Sequence, residues 1–159
     1  MLVTLLRLGL RSSEVAALAL PDIDWRAGEL EVHGKGGRHD RLPLPADVGE
    51  AIAAYLRRGR PTSARRELFL RAIAPVAPLG RGGVSSIVRR ACARAGVVPV
   101  GAHRLRHAMA TEMVRAGVPL TEIGQVLRHR STTSTSVYAR VDLGQLRGLA
   151  LPWPGGGVR

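Results

Sequence analysis

The chain has 159 residues, with 24 Lys plus Arg against 12 Asp plus Glu, a formal charge of +12, 45% hydrophobic and only 3% aromatic residues. This length buries one core of ordinary size, and the apolar share is too high for general disorder. The single Cys92 excludes an internal disulfide and any cysteine-rich zinc site, which fits a reducing cytoplasm.

From the start, Leu2, Leu5 and Leu6 make the apolar stripe of a short helix that Gly9 breaks. This segment is interrupted by Arg7 and lacks a cationic start and a cleavage site, so it does not read as a signal peptide. Ser12 or Ser13 caps a second helix with Glu14 in its first turn, Val15, Leu18 and Ala19 buried, and Pro21 as its stop. Between Asp22 and Pro45 the period changes to two. Leu30 and Val32 alternate with Glu29, Glu31 and His33, residues Gly34 to Gly37 turn the chain, and Leu42 and Leu44 alternate on the return. This pattern predicts a small antiparallel hairpin or three-stranded sheet.

Helical spacing resumes at Ala46, where Val48, Ile52, Tyr55 and Leu56 share one face up to Gly59 to Pro61. Tyr55 reads as a core residue. A loop rich in Pro, Gly and Arg runs from about Ala72 to Gly83, followed by a helix bearing Val84, Ile87, Val88, Ala91 and Ala95. Three more helices are expected near Ala102 to Ala116, Leu120 to Arg128 and Thr132 to Ala139. Asp142 begins a last short one, and Pro152 to Gly157 read as a mobile tail. The fold class is therefore mainly α with a small antiparallel β-sheet. No apolar run reaches bilayer length.

The basic residues are unevenly distributed in kind and in place. All are arginine except Lys35, and Leu68 to Thr111 hold seven arginines and two histidines with no Asp or Glu. One-signed charge of this density repels itself unless a counter-charge arrives. Nucleic acid is the expected partner, because phosphate contacts supply most non-specific affinity for such surfaces.

On the helix that begins near its end, His103, Arg106 and His107 fall on one face, while Leu105, Met109, Met113 and Ala116 fall on the opposite one, which is expected to pack. Two histidines four apart also fit zinc, but Arg104 stands where the metalloprotease pattern needs Glu, and its charge opposes a cation. Leu127-Arg128-His129 ends the next helix, and nine positions later comes Tyr138. The six residues Ser131 to Ser136 between them are Ser and Thr, which favour caps and turns over helix interiors.

Taken in order, Gly9-Leu10-Arg11 with Glu14, Gly34-Lys35-Gly36, His103-x-x-Arg106-His107, Leu127-x-His129 and Tyr138 resemble the catalytic domain of tyrosine recombinases, the phage-integrase family. Each match alone is common. Five in order over nearly the whole chain are specific. The resemblance implies site-specific DNA recombination or integration with no metal, cofactor or ATP. Tyr138 attacks the phosphorus to give a 3′-phosphotyrosine and a free 5′-hydroxyl, and a second 5′-hydroxyl reverses the step.

It also implies the roles. Arg11 and Arg106 hold the phosphate oxygens, Lys35 is the general acid, His103 assists deprotonation of Tyr138 or holds an oxygen, and His129 donates to the phosphate. Glu14 and His107 support them. Arginine stays charged at any relevant pH and is a poor proton donor, whereas a lysine can donate.

The family pattern places residues 1–150 in one catalytic domain without the usual N-terminal core-binding domain, with residues 151–159 as a tail. Double-stranded DNA, self-association as a tetramer on DNA and a cytoplasmic, DNA-associated location follow from the same resemblance, with no membrane. Two other readings share these residues: a catalytically silent DNA-binding remnant, and a type IB topoisomerase-like nicking-closing enzyme.

Overall fold

The structure is a computed structural model that describes residues 1–34 and 36–128. The element order is α1 (Leu2–Leu8), α2 (Ser12–Ala17), β1 (Ile23–Asp24), β2 (Glu29–His33), β3 (His39–Pro43), α3 (Ala46–Arg58), α4 (Arg81–Arg94), α5 (Ala102–Arg115) and α6 (Leu120–Val126), with a 3-10 turn at Leu20–Asp22. The chain divides into compact units at 1–109 and 110–159, the boundary falling within α5.

In the first unit, α1 ends as expected at Gly9, whose φ of 56° is left-handed and suits glycine. Leu5 and Leu8 are buried, but Leu6 stays exposed. The start of α2 differs from expectation. Arg11, not a serine, occupies the N-cap, and the Glu14 carboxylate reaches back to accept the Arg11 N–H at 2.8 Å. Glutamate at this position satisfies an orphan helix-end donor, leaving Ser12 and Ser13 inside the first turn.

The three strands form an antiparallel sheet in the order β1-β2-β3. Leu30 pairs with Leu42 and His33 with His39. The alternation read from the sequence places Leu30 and Val32 fully inside. They join Leu5 of α1, Leu10 from the turn after it, Val15 of α2 and Leu18 just past its end, Val48 and Ile52 from α3, and Val84 and Val88 from α4 in one core.

Tyr55 is half-buried beside Phe69, with ring centroids 5.4 Å apart, and its hydroxyl oxygen accepts the Leu70 N–H at 3.1 Å. Arg60 fastens the following loop by donating to the carbonyls of Arg65, Glu67 and Leu68 at 2.7, 3.0 and 3.2 Å.

α4 begins at Arg81, inside the span expected to be loop. Gly82 and Gly83 disfavour helix by about 1 kcal/mol each, but a Cβ at Gly83 would come within 2.6 Å of the buried Leu79 Cδ1. Glycine there serves close packing.

In the second unit, α5 stops at Gly117, where the N–H groups of Gly117 and Val118 return to the carbonyls of Val114 and Met113 at 2.9 and 3.0 Å. Ile123 of α6 is buried, as is Leu127. The helix expected near Thr132 to Ala139 and the segment after it lie outside the described residues. No described helix is long and apolar enough to cross a membrane.

Candidate active site

The turn between α1 and α2 carries the first two expected site residues. Besides its backbone bond to Arg11, Glu14 accepts from Arg11 Nη1 at 2.6 Å, so one carboxylate holds both ends of the same residue. Glu14 is buried, while the Arg11 side chain is 43% exposed. The guanidinium is thus anchored from below and open to an anion above. Its planar set of donors matches two phosphate oxygens.

Arg106 comes from α5 to this same turn. Its side chain is buried and its Nη1 donates to the carbonyl oxygen of Gly9, two residues before Arg11. A buried guanidinium is costly unless its donors are satisfied. Its burial corrects the face reading of α5. The line Ala102, Arg106, Ala110, Val114 is enclosed, Leu105, Met109 and Met113 are half-buried beside it, and Ala116 is exposed. Two small alanines on the Arg106 line carried too little apolar signal to mark it as the inner one.

On one side of that line, a step on from Ala102 and Arg106, His103 and His107 meet with Nε2 atoms 2.6 Å apart and ring centroids 4.2 Å apart, edge to face. One ring donates and the other accepts, so the two Nε2 atoms do not both carry protons in this contact. The His107 pKa is pushed below its ordinary value, chiefly by burial and further by His103, Arg104 and Arg106.

The structure therefore brings together Arg11, Glu14 and Arg106 at one corner, and His103 with His107 on the helix that supplies Arg106. Lys35, His129 and Tyr138 lie outside the described residues. The hairpin that contains Lys35 is formed on both sides of it by β2 and β3. Exposed cationic charge is abundant from residue 71 to residue 104. Arg71, Arg81, Arg89, Arg90, Arg94 and Arg104 are all exposed, and among the described residues none of them forms an ion pair. A surface cluster of Glu31, His33 and His39 was not singled out from sequence; the turn length that makes His33 face His39 was the available signal.

A mainly helical fold with a three-stranded antiparallel sheet is the fold class of the tyrosine recombinase catalytic domain. A model of the phage integrase family matches residues 1–144, and the chain belongs to that family. It is 56% identical over 158 residues to the integrase/recombinase y4rA of Sinorhizobium fredii, covering 98% of this chain and 38% of that one. It is 46% identical over 151 residues to y4gC of the same organism, covering 92% of this chain and 78% of that one. Among solved structures, the XerH site-specific recombinase bound to its palindromic difH substrate, a post-cleavage complex, superimposes with a TM-score of 0.77 at 25% identity, over 96% of this chain and 44% of that chain. The chain thus spans under half of y4rA and of XerH, and most of y4gC.

Proposed function

We propose that this chain catalyses site-specific DNA recombination or integration, cleaving and rejoining strands through a 3′-phosphotyrosine intermediate. The observation that carries the proposal is the fixing of Arg11 and Arg106 to one corner by Glu14 and the Gly9 carbonyl, in a chain of the phage integrase family. Negative charge builds on the non-bridging oxygens during phosphoryl transfer, and preorganised cations stabilise it best. Arg11 is open to receive those oxygens. Arg106 adds permanent charge from behind.

Tyr138 is the nucleophile. Its oxygen bonds to phosphorus as the bond to the 5′-oxygen breaks, and Lys35 supplies the proton that the leaving oxygen needs. A phenol has an ordinary pKa of about 10, so the cationic surround and His103 assist its deprotonation. His107 holds the His103 ring, and His129 donates to the phosphate. Attack by a second 5′-hydroxyl reverses the step. Bond energy is kept in the covalent intermediate, so the scheme requires no cofactor or ATP, and no metal enters it.

Double-stranded DNA is the proposed partner, drawn in by the exposed arginines of the α4 region, and a tetramer on DNA is the proposed assembly. The proposed location is the bacterial cytoplasm, in association with DNA. The test is incubation with nicked suicide duplexes of randomised sequence around the nick, followed by denaturing electrophoresis. A covalent protein–DNA adduct is expected. DNA binding with no adduct on any substrate would overturn catalysis.

A further inference from the structure

Two of the five histidines, His33 and His39, belong to no part of the site above. They are the last cross-strand pair of β2 and β3 before the turn at residues 34–38, where the Gly34 N–H donates to the Arg38 carbonyl at 2.7 Å. Residues two apart in a strand share a face, so Glu31 projects beside His33. The three side chains converge. The imidazole centroids are 4.5 Å apart, His39 Nδ1 is 2.5 Å from Glu31 Oε1, and one potential ligand atom from each residue lies within 4.8 Å of the others.

A carboxylate stands behind them. Asp22 Oδ1 is 3.0 Å from His33 Nε2, while the other Asp22 oxygen accepts the Ala19 N–H at 2.8 Å. A backbone bond therefore fixes the residue that fixes the His33 ring. Carboxylate support of this kind recurs around histidines that bind metals.

We propose that Glu31, His33 and His39 form a binding site for a divalent cation of the zinc class. Two imidazoles and one carboxylate are a donor set suited to zinc, which binds such atoms at about 2.0–2.2 Å and accepts water at a fourth position. Small rotations of side chains already converging from adjacent strands bring three donors to that distance. The side chains of Glu31, His33 and His39 are 34%, 38% and 54% exposed, so an ion enters from solvent without opening the core.

Asp22 and Glu31 sit against the two imidazoles, and Glu29 pairs with Arg41 at 3.7 Å. A bound ion joins β2 to β3 at the base of the turn that carries Lys35. It takes no part in strand cleavage, and its binding does not depend on the recombinase proposal.

The test is titration of the unmutated chain with zinc(II) and cobalt(II). One ion per chain is expected, with cobalt absorption bands of a low-coordinate site that zinc abolishes, and zinc should move the imidazole NMR resonances of His33 and His39. His39→Ala and Glu31→Gln, each shown by far-ultraviolet circular dichroism to keep its fold, should bind at least tenfold more weakly. No stoichiometric binding would overturn the proposal. So would resonance shifts confined to the other histidines, or affinity unchanged in both folded variants.

Discussion

Arg106 reaches across 97 positions of sequence to donate through Nη1 to the carbonyl oxygen of Gly9. The left-handed turn at Gly9 that ends α1 sets that carbonyl two residues ahead of Arg11, so one backbone group relates both arginines of the proposed site. Lysine at position 106 keeps a charge and one donor but loses the planar fork. Arg106→Lys is expected to lower the rate of covalent adduct formation about 10²–10³-fold, the cost typical of a removed transition-state donor. Thermal unfolding should shift much less than it does for Arg106→Ala, which leaves the Gly9 carbonyl without its donor at a cost of about 1–3 kcal/mol. Full cleavage by Arg106→Lys would contradict the role.

Glu14 has two separable tasks, because one oxygen accepts the Arg11 backbone N–H and the other its guanidinium. Glu14→Ala removes the helix cap and should cost about 0.5–2 kcal/mol in urea unfolding. Glu14→Gln keeps an oxygen for the backbone N–H but no charge for the guanidinium. It should unfold close to wild type while forming adduct more slowly. If Glu14→Gln cleaves at the wild-type rate, Glu14 is a cap and nothing more.

The elements that were legible in the sequence are those whose signal is local. Leu30 and Val32 alternate with polar neighbours, and the sheet follows them; Gly9 stops α1, and Tyr55 packs inward. Features decided across the chain were less legible. Ser12 and Ser13 have the chemistry of caps, yet Glu14 performs the task from three residues on, because the chain enters α2 at Arg11. Arg106 resembles a surface residue until the Gly9 carbonyl is seen to receive it. Convergence of Glu31, His33 and His39 needs the strand register, which depends on the turn between them. The arginine pair was expected from resemblance; what joins it to one corner came from the fold.

His107 gives a pH dependence with a definite sign. Burial, ahead of His103, Arg104 and Arg106, holds its folded pKa below the ordinary value. In the unfolded chain it takes a proton near about 6.5. Between these two values the unfolded state binds more protons, so stability falls as pH falls through this window and levels off below the folded value. Denaturant midpoints measured from about pH 7.5 to 5 should therefore decline more steeply for wild type than for His107→Gln. Parallel declines would show that His107 titrates alike in both states.

Lys35 is the one lysine among 24 basic side chains of its kind and arginine. Lys35→Ala should cleave ordinary DNA poorly, since the leaving 5′-oxygen lacks its proton. A 5′-phosphorothiolate substrate, whose sulfur leaves without one, should restore cleavage to near the wild-type rate on that substrate. Failure of the rescue would mean that Lys35 is not the acid.

Tyr138 is the residue proposed to become joined to DNA. Nicked suicide duplexes should trap a covalent adduct with wild type, mass spectrometry of its peptides should find a nucleotide on Tyr138, and Tyr138→Phe should trap none while still binding DNA. An adduct that persists in Tyr138→Phe, or one mapped to another residue, would contradict the account.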